Sequence, residues 1–145
     1  MQSSTTPRGA LGRGPSALVL VDPTPTAFLK EECTLVSASL CAELRHGWDP
    51  SNNPDGLDFL KSAREVDHAG ALPDIPLIVL AATNHQQAAI TDPRIEKRIE
   101  ALWQIEQRRL AASVPRGKVT IVPSGHDIQE LHPDVVTAAV TSLLH

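Results

Sequence analysis

The chain contains no tyrosine, and its aromatic residues amount to two Phe and two Trp among 145 residues. A surface this poor in rings offers no platform on which nucleobases could stack. Basic charge is scarce as well. Thirteen Lys and Arg stand against 17 Asp and Glu, for a net charge of -4, and the signs are interspersed, so nothing tracks a phosphate backbone. Nucleic acid is therefore not an expected partner. No apolar run approaches the roughly 20 residues that cross a bilayer, and the amino-terminal segment lacks the apolar core of a secretory signal. A cytoplasmic protein is the expectation. The two cysteines, Cys33 and Cys41, fall in a segment that reads as helix. Eight residues of continuous helix would hold them roughly 12 Å apart, beyond disulfide reach. Free thiols in a reducing compartment are thus expected.

What remains is the composition of a globular domain. Hydrophobic residues make up 41% and charged residues 21% of the chain, enough for one domain with a real core. Residues 1–16 are rich in Ser, Thr, Gly, Pro and Arg and contain no acid, which predicts a disordered leader ahead of a domain over 17–145.

Three short apolar runs read as buried strands. Ala17-Leu18-Val19-Leu20-Val21-Asp22 is closed by Pro23 and Pro25, Pro76-Leu77-Ile78-Val79-Leu80-Ala81-Ala82 follows a Pro-rich stretch, and Lys118 to Val122 follows Pro115-Arg116-Gly117. Between the first two, the pattern predicts a helix over about 27–45, with Phe28, Leu35, Val36, Leu40 and Leu44 near one stripe. A second helix is predicted over about 55–67, carrying Leu57, Leu60, Ala63 and Val66. Asp92 and Pro93 are an N-cap and a first helical residue for the helix bearing Ile95, Ile99, Leu102, Trp103, Glu106 and Leu110. A last helix starts at Pro133 and should bury Val136, Ala139, Val140, Leu143 and Leu144.

Strands alternating with crossover helices imply a parallel sheet with helices on its faces. Chemistry in such sheets gathers at the carboxyl ends of the strands. Those ends carry Asp22, then Thr83-Asn84-His85, then Ser124-Gly125-His126. Histidine titrates near neutrality, with an ordinary pKa of about 6.5, so His126 on a tight loop is a candidate proton carrier. Gly125 beside it could adopt φ > 0 and let the turn form. Three apolar strands would leave exposed edges, which predicts that the sheet is part of a larger one.

In this order the segments resemble the carboxyl-terminal half of an α/β-hydrolase of the serine esterase and lipase kind. Leu18-Val19-Leu20-Val21-Asp22-Pro23 is similar to that fold's sixth strand, and Pro76-Leu77-Ile78-Val79-Leu80 to its seventh. Ser124-Gly125-His126-Asp127-Ile128-Gln129 with Leu131-His132-Pro133 is similar to the loop after its eighth. The helix with Trp103 and Gln107 resembles the one between strands seven and eight. The resemblance implies a partial α/β-hydrolase fold, with residues of about 25–72 as a helical cap over the site. His126 would be the catalytic histidine, and Asp22 the acid that orients it, with Asp92 as the alternative. Asp127, adjacent to His126, would be solvated or shape the loop, and His132 would pack at the helix start.

The nucleophile of that family is missing. No Gly-x-Ser-x-Gly occurs in the sequence, and Ser16 enters a strand instead of leaving one. The resemblance therefore implies a fragment or truncated form of an ester or amide hydrolase. Such a chain would be inactive alone and, if completed, would act on a small molecule with an apolar group accommodated by Phe28, Leu29, Leu35 and Leu40. The alternative is a non-catalytic module that pairs or self-associates through its sheet edge. No cofactor is expected. Neither is a metal site drawn from His85, His126, Asp127 and His132, whose spacing matches no helical or turn-borne ligand pair.

Overall fold

The computed structural model describes residues 14–144. Three strands form one parallel sheet in the order β1-β2-β3: β1 is Leu18–Val21, β2 is Leu77–Ala82 and β3 is Gly117–Val122. The helices are α1 (Thr26–Glu31), α2 (Ala38–Gly47), α3 (Phe59–Ala69), α4 (Pro93–Ala112), α5 (Ile128–Leu131) and α6 (Pro133–Ser142), with a 3-10 turn over Glu32–Thr34. Within the proposed leader, residues 14–16 have no regular structure and residues 1–13 lie outside the described range.

The sheet is covered on both faces, as apolar parallel strands require. On one face Leu80, Ala82 and Val122 pack with Ile128 and Ala139 of the last two helices. On the other, Leu77 and Val79 pack with Ala111 and Val114 at the end of α4. Leu80 is 1% exposed, so Leu80→Ala would cost about 2–5 kcal/mol through lost burial and the cavity left behind. A third cluster joins Phe28 of α1 to Ile99, Leu102 and Trp103 of α4, and so pins the β1–β2 connection to the sheet layer. Gly117 begins β3 where the chain turns back from α4. A Cβ there would stand 1.6 Å from the Ala111 carbonyl oxygen, so only glycine fits.

Several sequence expectations are corrected. The single helix over 27–45 is broken. Ser37 adopts an extended conformation (φ -67°, ψ 159°), and its side chain accepts from the Leu40 N–H, capping a new helix instead of continuing the old one. The break folds α2 back on the 3-10 turn, and Cys33 and Cys41 meet with their Cα atoms 5.0 Å apart in a disulfide. The expected free thiols do not exist, and with them goes the sequence argument for a reducing compartment. α3 starts at Phe59, with Asp58 accepting from the Lys61 N–H, rather than near residue 55. Its apolar stripe stays open to solvent: Leu60 and Val66 are exposed. In α6 only Ala139 is buried, whereas Val140 and, past the helix end, Leu144 are exposed. No described helix is long and apolar enough to cross a membrane.

Candidate functional site

The carboxyl ends of the three strands converge on one carboxylate. Asp22 follows β1 directly. Its N–H bonds the Leu80 carbonyl at 2.7 Å, extending the ladder by one residue. It has φ 42°, and it is the one described non-glycine residue with positive φ. Asp tolerates that region better than most residues, yet it remains strained. The unusual backbone at this rim therefore belongs to Asp22. Gly125 is not among the described glycines with positive φ.

Strain of this kind persists when the surroundings over-determine it, and they do here. Asp22 is 1% exposed. Its Oδ1 accepts from the Ala82 N–H at 2.9 Å and from Trp103 Nε1–H at 3.0 Å. Its Oδ2 accepts from His85 Nε2–H at 2.5 Å and from His126 Nδ1–H at 2.7 Å. All four donors come from different places: the end of β2, the loop after it, α4, and the loop after β3.

One face of α4 stitches these loops together. Glu100 accepts from both the backbone N–H of His85 at 2.6 Å and its Nδ1–H at 2.8 Å. The Gln104 amide donates to the Ala82 carbonyl and the Gln107 amide to the Pro23 carbonyl, each at 2.6 Å. Positions 100, 103, 104 and 107 fall on a single helical stripe, so a polar row faces the strand ends within an otherwise apolar layer. Across the sheet, the Thr83 and Asn84 N–H groups both reach the Ser124 carbonyl and hold the His85 and His126 loops side by side.

The electrostatics follow from this wiring. Burial alone would push the Asp22 carboxyl up, but the hydrogen bonds from His126, His85 and the Ala82 amide hold it down, at about 2. Burial works to lower the His85 imidazolium, and the two carboxylates against it more than compensate, raising it to about 9. His85 is thus charged at neutral pH, and one imidazolium lies between two acids. His126 is raised above its ordinary value, chiefly by the bond to Asp22. Its side chain is 58% exposed, and its Nε2 has no hydrogen-bond partner among the described residues.

The structure therefore brings Asp22 and His126 together and adds His85, which the sequence placed on the same rim without a role. Asp92 is elsewhere: it caps α4, accepting from the Arg94 N–H at 2.9 Å, and sits eight residues or roughly 12 Å of helix before Glu100. Asp127 begins α5 and bonds Gln129, and His132 begins α6. Of the four residues weighed as metal ligands, only His85 and His126 meet, and Asp22 joins them, with all three donor atoms within 4.8 Å. Two donors on one tetrahedral ion stand roughly 3.3 Å apart. The contacts at 2.5 and 2.7 Å are shorter, at hydrogen-bond distance.

The roles of Glu100 and Gln104 escaped the sequence reading. Their signal was the recurrence of polar residues at helical spacing on the stripe that also carries Trp103. Glu32 was missed too: it is 1% exposed, under the β1–β2 helices.

Beside His126 opens a cleft of about 440 Å³ between those helices and the rim. Comparison of the chain with family models, with curated proteins and with solved structures finds no match.

Proposed function

We propose that Asp22 and His126 form the acid and base of a serine-type hydrolytic relay, in a chain corresponding to the carboxyl-terminal part of an α/β-hydrolase-like ester or amide hydrolase. The observation that carries this reading is the 2.7 Å bond from His126 Nδ1–H to a buried, four-fold bonded carboxylate. That bond fixes the imidazole tautomer with its lone pair on Nε2, the exposed nitrogen. An alcohol nucleophile brought to Nε2 would lose its proton to the ring as it attacks an acyl carbon. The imidazolium so formed is stabilised by Asp22 and returns the proton to the leaving group.

The nucleophile and the oxyanion donors are to be supplied from outside these 145 residues, which hold no Gly-x-Ser-x-Gly. The 145-residue chain should accordingly leave p-nitrophenyl butyrate intact and take no fluorophosphonate label. Hydrolysis that disappears in His126→Ala would locate a nucleophile within the chain and overturn this division of labour.

A second reading, a module that pairs through its sheet edge, is favoured by β1. That strand bonds only β2 among the described strands, its four residues are half-buried, and Val140 and Leu144 nearby are exposed. Light scattering distinguishes it: concentration-dependent dimers broken by a proline at Val19 support edge pairing, and a monomer at all concentrations opposes it.

A further inference from the structure

The cleft beside His126 has an unusual lining. Both Phe and both Trp of the sequence face it: Phe28, Trp48, Phe59 and Trp103. In a chain this poor in aromatics, the whole supply is spent on one surface. Phe28 and Trp103 meet edge to face with centroids 4.8 Å apart, which makes a stiff wall. The charged residues lining the cleft are acids: Glu32, Glu43 and Asp55. Among the described residues no Lys or Arg lines it, and His126 is the one basic group that does. Arg45 stands over the Trp48 ring at 5.9 Å but is not part of the lining.

Glu32 is the decisive residue. It is 1% exposed, and its Oε2 has no hydrogen-bond partner among the described residues. A carboxylate oxygen buried without a partner is costly unless something else completes it. Burial pushes its carboxyl up, contact with the Gln87 side chain draws it part-way back, and the result is about 7. An arriving cation would complete its ionisation. Although Glu43 and Asp55 also line the cleft, the three acids are not among the side-chain groups of the described residues whose oxygens converge closely enough for the cage a metal ion needs. The rings and the orphaned carboxylate oxygen suit a positive group carried on an apolar body, held by ring faces and one charge-assisted bond.

We propose that this cleft binds a small organic ammonium ion, a primary amine on an apolar group of about the size of one ring. The proposal rests on the hydrolytic reading for its place in catalysis, since it gives the substrate class of the same site, but its binding arm is independent of the relay. His126 on the rim would then face the acyl bond of a substrate whose ammonium is anchored at Glu32.

Trp48 and Trp103 are the only tryptophans, so intrinsic fluorescence reports occupancy directly. Phenethylamine, phenethyl alcohol and hydrocinnamate share a ring and differ in charge. The amine should bind about tenfold or more tightly than the alcohol, and the anion should bind more weakly than either. Glu32→Gln should erase the preference for the amine while leaving the alcohol unchanged. Equal affinities for amine and alcohol, or a preference that survives Glu32→Gln, would overturn the proposal. Should that variant fail to fold by circular dichroism, the wild-type chain still decides: hydrocinnamate binding as tightly as phenethylamine overturns it. Titration of His126 in the unliganded chain separates the two readings. A normal titration with intact amine preference removes the relay alone, and a perturbed titration without amine preference removes this inference alone.

Discussion

Asp22 Oδ2 and His126 Nδ1 stand 2.7 Å apart although 104 residues separate them in the chain. A parallel sheet makes this contact possible, because it delivers the carboxyl ends of β1 and β3 to one rim with only β2 between them. The contact is not a simple dyad, however. The same oxygen also accepts from His85, so Asp22 is both the proposed relay acid and one member of a buried ion pair.

Removing the charge at Asp22 should expose that double role. In Asp22→Asn the His85 imidazolium keeps only Glu100 as a partner, and the loss in unfolding free energy should be about 3 kcal/mol. Urea unfolding measures it. A loss within the ordinary range of a surface substitution would show that the Asp22–His85 pair contributes little.

His85→Gln isolates the pair from the relay. The bond from His126 to Asp22 should survive, but the Asp22 carboxyl, held at about 2, should rise toward its ordinary 3.8. Acid unfolding of the variant should begin at a higher pH than in the wild type. Coincident acid limbs for the two proteins would show that His85 does not hold the Asp22 charge.

The pH dependence of stability has a distinctive sign. Asp22 has a folded pKa below its ordinary 3.8, so its contribution is complete above 3.8 and lost as pH falls toward 2. His85, raised from 6.5 to about 9, contributes fully below 6.5 and loses that contribution as pH rises through 9. Glu32, raised from 4.5 to about 7, is favourable below 4.5 and loses its contribution by 7. That group alone is worth on the order of 3 kcal/mol. Thermal midpoints should therefore peak near pH 4–4.5 and decline up to 9. Glu32→Gln should flatten the part below 7 and His85→Gln the part above 6.5. A midpoint that rises between pH 4.5 and 7 would contradict this assignment.

The disulfide closes a short loop, with Cys33 and Cys41 eight apart in sequence. Constraining the unfolded chain over that length stabilises by about 2–3 kcal/mol. Dithiothreitol should lower the thermal midpoint of the wild type and leave Cys33→Ser/Cys41→Ser, already lowered, unaffected. Thiol titration of the native protein should find no free thiol before reduction; two would contradict the pairing.

The legible parts of the fold are those written in local sequence. The three strands are apolar runs bounded by Pro or Gly, and α4 announces itself with Asp92-Pro93, which the structure uses as cap and first residue. Strand order puts Asp22 and His126 on one rim, whereas their pairing is expected only from the hydrolase resemblance, with Asp92 as the alternative, and the contact depends on how the loops after β2 and β3 are held together. Three other features depend on tertiary context. Ser37 sits in a stretch whose apolar spacing suits one long helix, and only the folded-back α2 reveals the cap and with it the disulfide. Leu60 and Val66 have helical spacing but no described layer to cover them. Glu32 carries no sequence signal of burial, which is visible only once Phe28 and Trp103 close the β1–β2 helices against α4.

The most direct test of the relay is the titration of His126 followed by nitrogen and proton NMR of its imidazole. The account predicts a pKa above 6.5, raised by Asp22, with the proton of the neutral ring on Nδ1 and the lone pair on Nε2. In Asp22→Asn the pKa should return toward 6.5. A His126 that titrates at 6.5 in both proteins, or a neutral ring with its proton on Nε2, would contradict the claim that Asp22 orients and charges this imidazole.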